Sequence, residues 1–123
     1  MLPLGSLGLP AAADVAGEIN FKNKKLFIKY TVSPGHRSID FACPELRDAE
    51  GNQGISGTIV LEQPEDLERT VIATSWKENR RAFYYNQKIN CMRASGAFTV
   101  GAKTYQFDPV MDMGSLDWEI GRA

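Results

Sequence analysis

Apolar side chains recur at every second position in three short segments of this chain, and this spacing constrains the fold more than any other feature. The alternating segments are residues 26–32, 38–43 and 55–61. Successive side chains of a strand point to opposite faces, so this period is typical of strands buried on one side. Segments 67–74 and 81–91 are rich in β-branched and aromatic residues, which favour strands. No segment of ten residues has convincing helical periodicity.

Turn-forming residues separate these segments. Ser33-Pro34-Gly35 and Glu50-Gly51-Asn52 contain residues that fix φ or accept a positive φ. Gly101-Ala102 lies between two further runs and fits a two-residue hairpin turn. Strands joined by turns without helices between them predict an all-β protein, an antiparallel incomplete barrel or sandwich of roughly six to nine strands.

The N-terminal segment differs from the rest of the chain. It is apolar, but Pro3, Gly5, Gly8 and Pro10 interrupt it before a signal-peptide core is formed. With 123 residues the chain has the length of one domain. We therefore expect an extended leader over residues 1–16 and a single antiparallel β-domain over residues 17–123. No run of 18 apolar residues occurs, so we expect no transmembrane segment.

Composition argues against several classes of function. The 14 basic and 15 acidic residues give a net charge of -1, so we expect no nucleic-acid partner. One histidine and two cysteines provide few candidate metal ligands and few residues for Ser-His-Asp catalysis. We therefore expect no metal and no cofactor. We expect Cys43 and Cys91 to be reduced, buried thiols of a cytoplasmic protein, although a disulfide stays open at this point.

The strand predicted over 81–91 suggests a polar site. Its alternation places Tyr85 and Gln87 on one face and Tyr84 and Lys88 on the other. A buried lysine requires an acidic partner, and Asp108 or Asp117 is available on the Met-rich segment that follows. The predicted ligand-binding residues, at the polar entrance of a pocket, are Tyr84, Tyr85, Lys88, Asp108, Asp117 and Trp118. The alternative is that Lys88 is exposed to solvent and that the tyrosines only pack.

Four blocks near the C-terminus carry a resemblance to a known family. They are Phe83-Tyr-Tyr-Asn-Gln-Lys-Ile-Asn-Cys-Met92, Ala94-Ser-Gly96, Lys103-Thr-Tyr-Gln-Phe-Asp-Pro109, and Leu116-Asp-Trp118 with Gly121-Arg122. The sequence resembles an internal part of domain-of-unknown-function family 2804, an uncharacterised bacterial family similar to the lipocalin-like superfamily of carotenoid hydratases. The resemblance implies a lipocalin-like sheet around an apolar cavity, and it carries over no catalytic residue.

We expect a β-domain that binds an apolar or amphipathic small molecule, because the resemblance implies an apolar cavity and barrel mouths are common ligand sites. The alternative is an enzyme acting on an isoprenoid or lipid, in which Asp108 or Asp117 protonates an alkene. Such an acid must be kept protonated by apolar surroundings. A sheet with an unpaired edge recruits another chain, so we also expect a homodimer or swapped oligomer through an exposed sheet edge, or contacts of the leader over that edge.

Overall fold

Eight antiparallel strands form one sheet in the computed structural model of the chain, which describes residues 15–64, 69–76, 78–80 and 82–122. The strands are β1 (Gly17–Lys22), β2 (Phe27–Ser33), β3 (His36–Arg47), β4 (Gln53–Glu62), β5 (Arg69–Trp76), β6 (Ala82–Val100), β7 (Lys103–Phe107) and β8 (Met113–Arg122). Pairing among these described strands leaves the sheet open, without closure into a barrel. The all-β prediction is confirmed, and an open sheet is consistent with an incomplete barrel or sandwich.

Helical structure within the described ranges is limited to a 3-10 turn over Glu78–Arg80. No helix there has the length and hydropathy that crossing a membrane requires. The expected leader falls almost wholly on residues 1–14, which lie outside the described residues.

The predicted turns lie where the sequence places them. Ser33 pairs with His36 across Pro34-Gly35, and Gly35 has a φ of 68°. Val100 pairs with Lys103 across Gly101-Ala102, where Gly101 has a φ of 59°. Both loops therefore have two residues and use glycine where the backbone enters the left-handed region.

Strand β6 is the centre of the sheet. Arg93 lies opposite Glu62 of β4 and also opposite Met113 of β8, so these two strands occupy opposite edges of β6. Strands β5 and β8 flank the first half of β6, while β4 and β7 flank the second half. The segments 81–91 and 98–100, which look separate in sequence, thus belong to one strand of 19 residues over Ala82–Val100.

A bulge interrupts β6 at Cys91. Its φ is 59°, and the register with β8 shifts between Ile89 and Met92. The extra residue lets both Ile89 and Met92 point to the same face, where both are fully buried. Cys91 itself is exposed, so the expectation that both thiols are buried is wrong for this residue; Cys43 is half-buried, and both cysteines are free.

We name the face that carries Ile89 and Met92 the inner face. Its buried core consists of these two side chains with Leu61 and Ala94, and Leu116 packs against it. Towards β1 the same face continues through partly exposed apolar residues at paired positions: Ile19, Phe21, Ile28, Tyr30, Ile39, Phe41, Ile55 and Ile59. The opposite face we name the outer face.

Candidate functional site

The structure divides the predicted site residues between the two faces of the sheet. Trp118 lies opposite Gln87, and Tyr85 shares the face of Gln87, so both belong to the inner face. Tyr84, Lys88 and Asp117 alternate with them and belong to the outer face. These residues therefore do not form one entrance, because neighbouring positions of a strand point in opposite directions.

Lys88 and Asp117 form the one predicted pair that the structure brings together. They are cross-strand partners, and Lys88 Nζ lies 3.1 Å from Asp117 Oδ2. Asn86, which is 1% exposed, donates from its Nδ2 to Asp117 Oδ1. The Lys88 and Asp117 side chains are 46% and 58% exposed, so this is a surface ion pair rather than a buried one.

The surroundings of Asp117 favour its ionised form. The hydrogen bond from Asn86 and then the contact with Lys88 lower the pKa of the Asp117 carboxyl, while Asp117 raises the pKa of Lys88. Opposite charge and donated hydrogen bonds both stabilise a carboxylate. Asp117 is therefore a carboxylate at neutral pH and not a proton donor.

Asp108 shapes the turn between β7 and β8. Its Oδ1 accepts a hydrogen bond from the Val110 backbone N–H, and its carbonyl accepts from Met111 and Asp112. The Asp108 backbone N–H in turn donates to Asp112 Oδ2. Aspartates commonly form such hydrogen bonds in tight turns. The partner of Lys88 is therefore Asp117 and not Asp108.

Two buried polar groups on the inner face form the candidate site. Gln87 is 3% exposed, and its Oε1 accepts no hydrogen bond from any residue that the structure describes. The indole Nε1 of Trp118, directly opposite on β8, is likewise buried and without an acceptor. Side chains at opposed positions lie about 4.5–5.5 Å apart at Cβ. An acceptor and a donor thus stand side by side within an apolar face.

A second polar group lies on the inner face towards β2. Arg37 is 2% exposed and donates to Gln63 Oε1 at 3.3 Å and to Met92 Sδ at 3.7 Å. Burial raises the pKa of the neighbouring Tyr30 hydroxyl, and the charge of Arg37 partly opposes that increase. Arg37 therefore links the β2 side of the inner face to its core at Met92.

The sequence contained a signal for both groups. Alternation places Arg37 with Ile39 and Phe41, and it places Gln87 between Tyr85 and Ile89. A polar residue at an apolar-face position is the informative exception in a strand. The sequence prediction instead emphasised Lys88 because it carries a charge.

Other parts of the described chain offer little chemistry. A surface depression of about 320 Å³ is lined by Ala42, Pro44, Gln53, Gly54, Ile55, Ser56, Thr99 and Gly101. None of these residues has a titratable side chain. Within the described residues no group of three His, Cys, Asp or Glu side chains is arranged to hold a metal ion.

The comparison with family models assigns the chain. The family "Domain of unknown function (DUF2804)" matches residues 1–123. The chain belongs to this family. No curated protein and no solved structure shows a significant match. In this DUF2804 chain the Leu116-Asp-Trp118 block directs Asp117 to the outer face and Trp118 to the inner face, next to Gln87.

Proposed function

We propose that this domain binds an apolar or amphipathic small molecule on its inner face, in the manner of a lipocalin-like open sheet. The observation that carries the proposal is that two of the buried groups without a partner among the described residues, Gln87 Oε1 and Trp118 Nε1, lie at opposed positions next to Ile89 and Leu116 of the apolar core. Buried polar groups are nearly always hydrogen-bonded, so each exception requires an explanation. Apolar walls with a few converging polar groups are the usual composition of a ligand site.

The two groups also indicate which hydrogen-bonding group a ligand would need. Gln87 Oε1 is an acceptor and the Trp118 indole N–H is a donor. A hydroxyl group satisfies both at once, because it donates one hydrogen bond and accepts others. A carboxylate would also satisfy Trp118, but its charge loses more solvation on an apolar face than a hydroxyl group does. We therefore favour an apolar chain that ends in a hydroxyl.

Titration calorimetry with dodecanol and dodecanoate tests the proposal. We expect the protein to bind dodecanol more tightly than dodecanoate. Gln87→Leu should weaken dodecanol binding by about two- to twelvefold, since a neutral hydrogen bond contributes about 0.5–1.5 kcal/mol. The matched control is Gln106→Leu, because Gln106 is exposed on β7. Absence of dodecanol binding, or equal effects of the two variants, would contradict the proposal. Mass spectrometry of lipids extracted from the purified protein would then identify the natural ligand.

The enzymatic alternative finds less support. It requires a carboxylic acid that stays protonated in apolar surroundings. Asp117 is exposed and its pKa is lowered, while Asp108 is exposed and its backbone and side chain are both hydrogen-bonded within a turn. Binding without catalysis is therefore the function we favour.

For the cellular setting we propose a bacterial, cytoplasmic protein. The two free cysteines support this, since cytoplasmic thiols are kept reduced. We retain the division into a leader over 1–16 and one β-domain over 17–123, and we retain self-association through a sheet edge as a proposal.

A further inference from the structure

The outer edge of β5 has the longest uncharged run among the edge strands that the structure describes. Within the described residues β5 pairs only with β6. Residues 70–76, Thr-Val-Ile-Ala-Thr-Ser-Trp, contain no charge, proline or glycine. Val71 and Ile72 point to opposite faces and are 54% and 45% exposed. An uncharged edge rich in β-branched residues is a template for pairing with another strand.

The other edges carry charges that discourage such pairing. Strand β1 has Glu18 and Lys22, and β7 begins with Lys103. Strand β8 carries Asp117 and Glu119, which would face like charges if two β8 edges met. Charged side chains are a common protection of edge strands. Strand β7 is also uncharged after Lys103, but over four residues, whereas β5 is uncharged over seven, from Thr70 to Trp76.

We propose that β5 pairs with β5 of a second copy of this chain, antiparallel about a two-fold axis at Ile72. This register places Ile72 opposite the partner subunit's Ile72 and Thr70 opposite the partner subunit's Thr74. Threonine pairs and β-branched pairs at opposed positions stabilise antiparallel strands. The single charged residue of β5, Arg69, lies opposite the partner subunit's Ser75, so the two arginines stand at opposite ends of the contact.

A second copy suits this edge better than a heterologous contact. A two-fold contact uses the same patch twice and closes after two subunits. Pairing of β5 with the acidic β8 edge of a neighbour would instead leave one free edge on each side and would extend into filaments. Val71 of β5 lies opposite Gln87 on the inner face, but the dimer proposal rests on the outer edge of β5 and not on the Gln87 and Trp118 pair.

Sedimentation analysis over a concentration series tests the dimer. Ile72→Lys removes the opposed isoleucine pair and places two lysines opposite each other, so it should raise the dimer dissociation constant more than about tenfold, because like charges at opposed positions destabilise paired strands. Val110→Lys is the matched control, since it removes an apolar side chain that is 70% exposed in the β7–β8 turn. A monomer at all concentrations, filaments instead of dimers, or equal effects of both variants would overturn the proposal.

Cross-linking keeps the test decisive if Ile72→Lys fails to fold. In a background of Cys43→Ser and Cys91→Ser, Ile72→Cys should form a disulfide-linked dimer on mild oxidation. Opposed residues of antiparallel strands have Cα atoms about 4.5–5.5 Å apart, within the range that a disulfide spans. Val110→Cys in the same background should not cross-link. Failure of Ile72→Cys to cross-link, or equal cross-linking of the two variants, would show that the contact lies elsewhere.

Discussion

The contact between β4 and β6 leaves no room for a side chain at Gly57. A Cβ placed at this position overlaps the Ala97 carbonyl oxygen and lies 2.6 Å from both Cα and Cβ of Phe98. Two of these three atoms belong to the backbone of β6, so no rotamer change relieves the overlap. The strands would have to separate by about 1 Å to reach ordinary contact distances of about 3.5–4.0 Å.

The cost of Gly57→Ala follows from that separation. Losing one or two ladder hydrogen bonds costs about 0.5–1.5 kcal/mol each, and more where a buried group is left unsatisfied, about 1–3 kcal/mol. Alanine recovers about 0.5–1 kcal/mol, because glycine loses more backbone entropy on folding. If two buried groups lose their partners, the loss of about 2–6 kcal/mol less this gain lowers the free energy of unfolding of Gly57→Ala by about 1–5.5 kcal/mol, a large share of the roughly 5–15 kcal/mol typical of a domain.

Gly114→Ala is the matched control for Gly57→Ala. A Cβ at Gly114 overlaps a methyl carbon at the far end of the Leu61 side chain, which can rotate away, whereas the overlap at Gly57 is with backbone. Urea unfolding followed by far-UV circular dichroism gives both free energies. We expect Gly114→Ala to lose less than about 1.5 kcal/mol, as for a tolerated core change. Unchanged stability of Gly57→Ala, or equal losses in both variants, would refute the reasoning.

Two further predictions concern the core and the outer-face ion pair. Ile89→Ala should cost about 2–5 kcal/mol in urea unfolding because Ile89 is fully buried, whereas Val110→Ala should change stability by less than about 0.5 kcal/mol; similar values for the two would show that Ile89 is not in the core. The pKa of Asp117 is lowered in the folded protein from its ordinary value of 3.8, so its contribution to stability is present above that pH and is lost as the pH falls through the lower, folded value. Asp117→Asn should therefore reduce the acid-dependent loss of stability, and Lys88→Met should reduce it too, with a smaller change at neutral pH than Ile89→Ala produces. An unaltered acid dependence in both variants would contradict this assignment.

Local features of the fold were accessible from the sequence. The alternation over 26–32, 38–43 and 55–61 lies within or next to β2, β3 and β4, and the glycines mark the turns. These signals are local because side-chain direction and turn conformation depend on adjacent residues. The continuity of β6 was not accessible, since the bulge at Cys91 interrupts the alternation from which a strand is recognised.

The candidate site was only partly predictable. Alternation correctly places Lys88 and Gln87 on opposite faces, and Asp117 is indeed the partner of Lys88. What alternation cannot supply is which face is buried, because that depends on the register of β5 and β8 against β6. Trp118 lies opposite Gln87 only because of that register. The sequence thus indicates the pairs but not the side of the sheet on which each lies.

The bulge at Cys91 constrains the number of residues in β6 more strictly than it constrains the type of residue 91. Side chains before and after it share the inner face only because one extra residue corrects the phase of the alternation. Asparagine or glycine would accept the positive φ at this position at lower cost than cysteine. A deletion of one residue here, by contrast, would turn Met92 and Ala94 outward and exchange the two faces of the second half of β6. Residue 91 can therefore be any residue that accepts a positive φ, whereas the number of residues between Ile89 and Met92 is fixed.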